Sequence, residues 1–169
     1  MDLQTTLIGL LMIVLCTIPF YLLGRSATKK RKKLLAGITD LAAQHYQTID
    51  TVEYGPEFSI ATTQTKEAIL FYKKSDVKEI ALYIDLDKLL SCTFIHLKEK
   101  VQNQGKFYEH TKKLALSCKT TSQEDILLLE FYNVDDGLQL NGELELLTKW
   151  HQIINKSIKM IRQSIEIPL

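Results

Sequence analysis

Four histidines are the first candidates for chemistry in this chain, because imidazole binds metals and transfers protons near neutral pH. They are His45, His96, His110 and His151. No two of them are four residues apart, and no HExxH motif is present. Since a zinc site needs several clustered ligands, the sequence predicts no metal centre and no other bound cofactor.

Two cysteines, Cys92 and Cys118, lie in segments that alternate like β-strands. The third, Cys16, lies in an uncharged run near the N terminus. No CxxC motif brings two thiols together along the chain. We therefore interpret Cys92 and Cys118 as small buried apolar residues rather than as nucleophiles or redox groups.

Two pairs of aspartates invite a calcium-binding or acid–base interpretation. They are Asp85 with Asp87, and Asp135 with Asp136. The second pair precedes Gly137, and Asp-Asp-Gly is an ordinary turn sequence, while the EF-hand spacing is absent. The chain also lacks GxSxG, GxGxxG and a phosphate-binding glycine loop. The sequence therefore predicts a non-catalytic protein, and an enzyme with an unrecognised site is the less favoured alternative.

A dense group of cations follows the uncharged run: Arg25, Lys29, Lys30, Arg31, Lys32 and Lys33. One interpretation is a topology signal that also contacts anionic lipid headgroups, with about 1 kcal/mol per cation near the surface. The other is a dedicated phosphoinositide or nucleic-acid patch. The first is favoured, because every single-span membrane protein needs such a flank.

The run from Leu3 to Leu23 contains no charged residue and no histidine. As a helix it would span about 30 Å, the thickness of the hydrocarbon core of a bilayer. The sequence thus predicts an N-terminal transmembrane anchor, with the N terminus outside and the bulk of the chain cytoplasmic, at a bacterial inner membrane. A cleaved signal peptide and a lipoprotein anchor at Cys16 are disfavoured, because no basic residue precedes the run and no small residue precedes Cys16.

Charge elsewhere in the chain argues against nucleic acid as a partner. Removing the six cations and Asp2 from 21 basic and 20 acidic residues leaves a formal charge of −4 on residues 34–169. Proteins that bind DNA or RNA carry a basic face instead. Lysines in the predicted strands, such as Lys73 and Lys74, are interpreted as solvated strand ends that discourage edge pairing.

The pattern after the basic group predicts an α+β domain. Apolar residues at three- and four-residue steps indicate a stalk helix over 34–46, which either continues the anchor or docks on the domain. From Phe58 onward six short segments rich in β-branched and aromatic residues indicate an antiparallel meander, with a possible seventh strand at Lys106–His110. The predicted organisation is an anchor at 1–24, a basic flank and stalk helix at 25–50, and a domain at 51–169.

A long amphipathic helix is predicted near the C terminus, from about Gly142 to Ser164. Its apolar residues recur at steps of three and four, so they share one face. Four of them are predicted to cap the core of the meander: Leu147, Trp150, Ile154 and Ile158.

A meander closed by one helix resembles the pleckstrin-homology-like fold, over roughly residues 55–163. The C-terminal part also resembles a group of small single-span bacterial proteins, chiefly from Bacteroidetes, that have no established activity. The residues that match their pattern are Phe131, Tyr132, Leu138, Gln139, Leu140, Gly142, Glu143, Leu144, Lys149 and Trp150. The resemblance implies a partly open barrel of about six or seven strands, but it implies no function, because this fold serves many roles.

Taken together, these patterns predict a membrane-tethered module that binds a protein partner at the cytoplasmic face. The alternative is a membrane-surface sensor of anionic lipid headgroups. No catalytic residue is assigned.

Overall fold

The computed structural model describes residues 3–75, 78–103, 106–122, 126–136 and 139–165. Within them the chain is α+β, with two antiparallel sheets and a helix at each end. In chain order the elements are α1 (Leu3–Gln44), β1 (Ile49–Tyr54), β2 (Phe58–Thr63), β3 (Ala68–Lys74), β4 (Glu79–Asp85), β5 (Leu89–Asn103), β6 (Lys106–Thr120), β7 (Ile126–Asn133), a 3₁₀ turn (Val134–Asp136) and α2 (Glu143–Ile165).

The first sheet has the strand order β1-β2-β3-β4 and is covered on both faces. Side chains alternate between the faces of a strand, so Phe71 enters the main core while Leu70 and Tyr72 turn the other way. That second face packs against the C-terminal half of α1, in a cluster formed by Leu34, Ile38, Leu41, Ala42, Ala61, Leu70 and Tyr72. Because β3 is buried on both sides, its sequence is a nearly continuous apolar run.

Helix α1 approaches the first sheet closely at Gly37. A Cβ atom at this position would lie 2.2 Å from Cε1 of Tyr72. The Tyr72 hydroxyl donates a hydrogen bond of 2.7 Å to Glu79, which holds the ring in place. Glycine weakens a helix relative to alanine, but here the missing side chain lets α1 dock on β3.

The second sheet has the order β5-β6-β7 and contains a long hairpin. Strands β5 and β6 are 15 residues each, whereas β7 pairs only with residues 113–119 of β6. The hairpin therefore projects beyond the third strand. Helix α2 packs on the core face of this sheet, and the four predicted cap residues Leu147, Trp150, Ile154 and Ile158 are all buried there.

The predicted strand boundaries were wrong in two places. Strand β1 was missed, because IDTVEY is an edge strand of mixed polarity with no clean alternation. The separate strands predicted at Lys106–His110 and from Lys112 are one strand, β6, which continues through a bulge opposite Leu97 and Lys98. Bulges of this kind shift the side-chain pattern by one residue, and they look like a strand break in a sequence.

The predicted transmembrane anchor is also wrong. The run from Leu3 to Leu23 is the first half of α1, which continues unbroken to Gln44. Among the residues that the structure describes, no helix has a stretch that is both long and apolar enough to cross a bilayer. This overturns the anchored form of the fold class, the single-pass topology and the inner-membrane location. The prediction rested on the length of the run and its lack of charge; the last turns of the same helix pack against the first sheet. The division at residues 24 and 50 stays a prediction.

Candidate functional site

The histidines do not converge on a common site. His96 Nε2 lies 2.9 Å from Thr111 Oγ1, the His151 ring meets Phe94 edge-on, and His45 stacks on a tyrosine ring of β4. In the described part of the chain, no group of three or more His, Cys, Asp or Glu side chains is arranged to hold a metal ion.

Cys92 and Cys118 lie directly opposite each other on β5 and β6, as free thiols. Their sulfur atoms are 3.3 Å apart, and both side chains are buried. The hydrogen bond between the thiols, together with burial, raises the pKa of Cys92. Because the thiolate is the reactive form of cysteine, this environment favours packing over nucleophilic chemistry at Cys92, whereas the same hydrogen bond lowers the pKa of Cys118.

A buried ionic network joins the two sheets around Lys73. The Lys73 Nζ atom lies 2.8 Å from Glu130 Oε1 and 2.8 Å from Asp136 Oδ2, and Lys113 contacts the other oxygen of Glu130 at 2.6 Å. Lys73 is only 2% exposed, so its interpretation as a solvated strand end was wrong. Its place on the same face of β3 as Ile69 and Phe71 was the signal in the sequence that could have placed it inside.

The pKa directions in this network follow from burial and hydrogen bonding. Burial lowers the pKa of Lys73, but the hydrogen bonds to Asp136 and Glu130 outweigh it, so the pKa is raised overall. Burial raises the pKa of Glu130, but the hydrogen bonds from Lys113 and Lys73 outweigh it, so the pKa is lowered overall. Lys73 and Glu130 are therefore charged at neutral pH, and the network ties β3 to β7 and to the 3₁₀ turn.

The predicted basic contacts separate into distinct environments on α1. Lys29, Lys30, Arg31, Lys32 and Lys33 are all exposed, and Arg31 also stacks over the Tyr54 ring at 4.6 Å. Lys30 and Lys33 line a cavity between α1 and the first sheet, as described below. The side chain of Arg25 lies outside the described residues.

The cavity has a volume of about 120 Å³ and contains a third lysine, Lys74, from the end of β3. Its remaining lining comes from α1 and from the turns after β1 and β3: Leu34, Pro56, Glu57 and Ser75. Lys74 follows the buried Lys73 in the chain but points to the opposite face of the strand, as the two-residue repeat of a strand requires. We call this feature the lysine cavity. Sequence reasoning missed it, because Lys74 and the helix lysines are far apart in the chain.

A second surface of interest is an apolar stripe on the second sheet, on the face opposite α2. The β5–β6 and β6–β7 registers place its side chains on one face. Its members are exposed by 37–62%: Leu97, Val101, Tyr108, Ile126 and Leu128. Sequence analysis did not single these residues out, because they lie on three strands whose pairing is set by the fold.

Comparisons with protein-family models, with curated proteins and with solved structures gave no match to this chain. The resemblance to the pleckstrin-homology-like fold and to the Bacteroidetes group therefore stays a prediction. We therefore infer function from the lysine cavity and the apolar stripe.

Proposed function

We propose that this chain is a non-catalytic interaction module that binds a protein partner through the apolar stripe. The observation that carries the proposal is the exposure of five large apolar side chains on one face of the second sheet. Grouped apolar side chains on a surface are typical of contact sites, and tyrosine is enriched in protein interfaces. Since α2 occupies the other face of this sheet, the stripe is open to a partner.

The edge of the second sheet is a poorer site for a partner than its face. Near the start of β5, the Asn155 side chain occupies both backbone groups of Cys92, donating to its carbonyl at 3.0 Å and accepting from its N–H at 3.4 Å. Farther along, β5 carries Lys98 and Lys100, and lysines on an edge strand discourage pairing with another strand. We therefore assign the contact to side chains of the stripe rather than to strand addition.

The experiment that tests this function is site-specific photo-crosslinking in the cell of origin. A photoreactive phenylalanine analogue replaces Tyr108 in the stripe or, as the matched control, Tyr46, which is 97% exposed and follows α1. We expect one discrete crosslinked protein from position 108 and none from position 46. The captured protein, once purified, should bind the full chain, and Leu97→Glu should abolish that binding without lowering the melting temperature, because Leu97 is exposed.

Two outcomes would contradict the proposal. The same products from both positions would mean that the stripe is not a specific surface. A stable purified complex that tolerates Leu97→Glu would place the contact elsewhere. The alternative predicted from the sequence is contact of the basic group with anionic lipid headgroups. That group lies on α1 and not on the second sheet, and the contact stays a prediction. No nucleic-acid partner is proposed.

A further inference from the structure

The lysine cavity combines residues from three separate segments of the chain. Lys30 and Lys33 are three positions apart on α1 and so project from the same side of the helix. Lys74 approaches from the end of β3, and the turn after β1 supplies Pro56 and Glu57. A cavity of roughly 10–15 Å³ already holds a water molecule, so a volume of about 120 Å³ has room for a tetrahedral oxyanion.

The floor of the cavity is fixed by hydrogen bonds within the first sheet. The backbone N–H of Lys74 donates to the carbonyl of Glu57 at 2.8 Å, which ties the two turns together. The Lys74 ammonium donates to Glu79 at 2.6 Å, and the same carboxylate accepts from Tyr72. Lys74 is therefore held in position before any ligand arrives.

The helix side of the cavity carries positive charge that the described residues do not neutralise. Within the described part of the chain, Lys30 and Lys33 form no ion pair. Glu57 is the carboxylate among the lining residues and Glu79 is already bound to Lys74, so the lining keeps an excess of cations. Lys29, Arg31 and Lys32 lie on the same stretch of α1 and add to the local potential. An anion is the ligand that this charge distribution favours.

We propose that the lysine cavity binds a phosphate-type oxyanion, supplied either by a soluble phosphate compound or by a lipid headgroup. Lysine ammonium groups donate charge-assisted hydrogen bonds to phosphate oxygens as mobile point charges. Lys30 and Lys33 lie before residue 55, where the resemblance to the pleckstrin-homology-like fold begins. That resemblance therefore does not include the helix side of the cavity. Of the five cations in the basic group whose side chains the structure describes, Lys30 and Lys33 line the cavity, so the proposed site is smaller than the basic group predicted from the sequence.

The helix offers a matched control for this site. Lys30→Ala/Lys33→Ala removes two cations that line the cavity, and Lys29→Ala/Lys32→Ala removes two exposed cations from the same turns of the same helix. Both double variants lose the same net charge, so long-range attraction falls equally in both. A difference between them reports the geometry of the site and not the charge of the helix.

The first measurement is a titration of the full chain with inorganic phosphate, in which binding is monitored by the backbone amide NMR shifts. The ionic strength is held constant, because screening alters any charge interaction. We expect the amides of Lys74 and Ser75 to shift in the wild type and in Lys29→Ala/Lys32→Ala. In Lys30→Ala/Lys33→Ala the dissociation constant should rise about tenfold or more, as expected for the loss of charge-assisted hydrogen bonds. The circular dichroism and melting temperatures of all forms should agree.

The second measurement is co-sedimentation with vesicles of phosphatidylcholine, with and without phosphatidylglycerol, and it identifies the source of the oxyanion. Binding to the anionic vesicles that is lost only in Lys30→Ala/Lys33→Ala assigns a lipid headgroup. Phosphate binding without vesicle binding assigns a soluble compound. Two outcomes would overturn the site. One is that both double variants weaken binding equally. The other is that the wild type shows no amide shift at Lys74 and Ser75 and no vesicle binding. Because variants of the stripe leave this cavity intact, its failure and the failure of the proposed function are distinguishable.

Discussion

Replacing Gly37 by alanine sets two effects of opposite sign against each other. In an exposed helix the substitution stabilises by about 1 kcal/mol, because alanine is the better helix former. Here the new Cβ atom would lie 2.2 Å from the Tyr72 ring, far inside the ~3.5–4.0 Å separation at which carbon atoms attract. Overpacking of this kind costs about 1–3 kcal/mol. Since the ring is buried and its hydroxyl is bonded to Glu79, we expect the upper part of that range and a net loss of about 1–2 kcal/mol.

The assay is urea unfolding of the full chain, followed by the fluorescence of Trp150, which is buried in the main core. Thr39→Ala is the matched control, because Thr39 is exposed on the same helix two residues away. Thr39→Ala should raise the free energy of unfolding by a few tenths of a kcal/mol through helix propensity alone, because the helix propensities of ordinary residues differ by at most about 0.7 kcal/mol. A second control is Gly37→Ala in a Tyr72→Ala background, where the ring is gone and the substitution should be neutral or stabilising.

A higher urea midpoint for Gly37→Ala would contradict the docking of α1 on β3. If Gly37→Ala raises the urea midpoint in the wild-type background, the Tyr72 ring does not contact α1 in solution. Helix α1 would then not be docked on β3 at this position, and the lysine cavity would lose the wall that supplies Lys30 and Lys33. The double-mutant comparison separates this outcome from a general tolerance of the site, because only a real contact gives coupling between the two positions.

The remaining predictions concern the core, the ionic network and the end of α1. Trp150→Ala should lower the free energy of unfolding by about 3–5 kcal/mol, the range for a large aromatic core residue; an unchanged urea midpoint would mean that Trp150 is exposed. Lys73→Met should cost about 3 kcal/mol or more, because it leaves the partly buried Asp136 without its cation and Glu130 with Lys113 alone, and equality with an exposed Lys78→Met control would contradict the network. Because the pKa of Glu130 is lowered from 4.5 in the folded state, its contribution to stability should be present above that pH and lost as the pH falls through the folded-state value. Urea midpoints between pH 7 and pH 3 should therefore fall more steeply in the wild type than in Glu130→Gln, and parallel curves would refute this. Tyr46 has a φ angle of 54°, so Tyr46→Gly should raise the melting temperature by relieving about 1–2 kcal/mol of strain, whereas Tyr46→Ala should not.

The strands and the closing helix could be predicted because their patterns are local. Helix α2 was predicted from apolar steps of three and four, and its residues Leu147 and Trp150 lie in the core. Strands β2 to β5 were recognised from apolar and β-branched content. Strand β1 was missed, because an edge strand needs no strict alternation. The anchor was predicted on local grounds as well, from an uncharged run, but no helix among the described residues is long and apolar enough to cross a bilayer.

The candidate sites could not be predicted, because each depends on pairings between distant parts of the chain. Two consecutive residues make the point. Lys73 and Lys74 are indistinguishable as sequence, yet Lys73 meets Glu130 and Asp136 inside the molecule, while Lys74 faces the helix lysines outside it. The two-residue repeat of a strand requires that they point to opposite faces, but it does not say which face is the core.

Local patterns were sufficient to predict the element types of the folded part apart from β1, the absence of recognisable catalytic motifs, and the concentration of positive charge before residue 34. These are properties of composition and short-range spacing, so they need no knowledge of neighbours. Only the tertiary structure decided that α1 covers the outer face of the first sheet, that a glycine permits this contact, and that a lysine from β3 joins two from the helix. Such contacts arise because the first sheet buries both apolar faces of its central strand β3, and the segment that covers each face is selected by packing between distant parts of the chain.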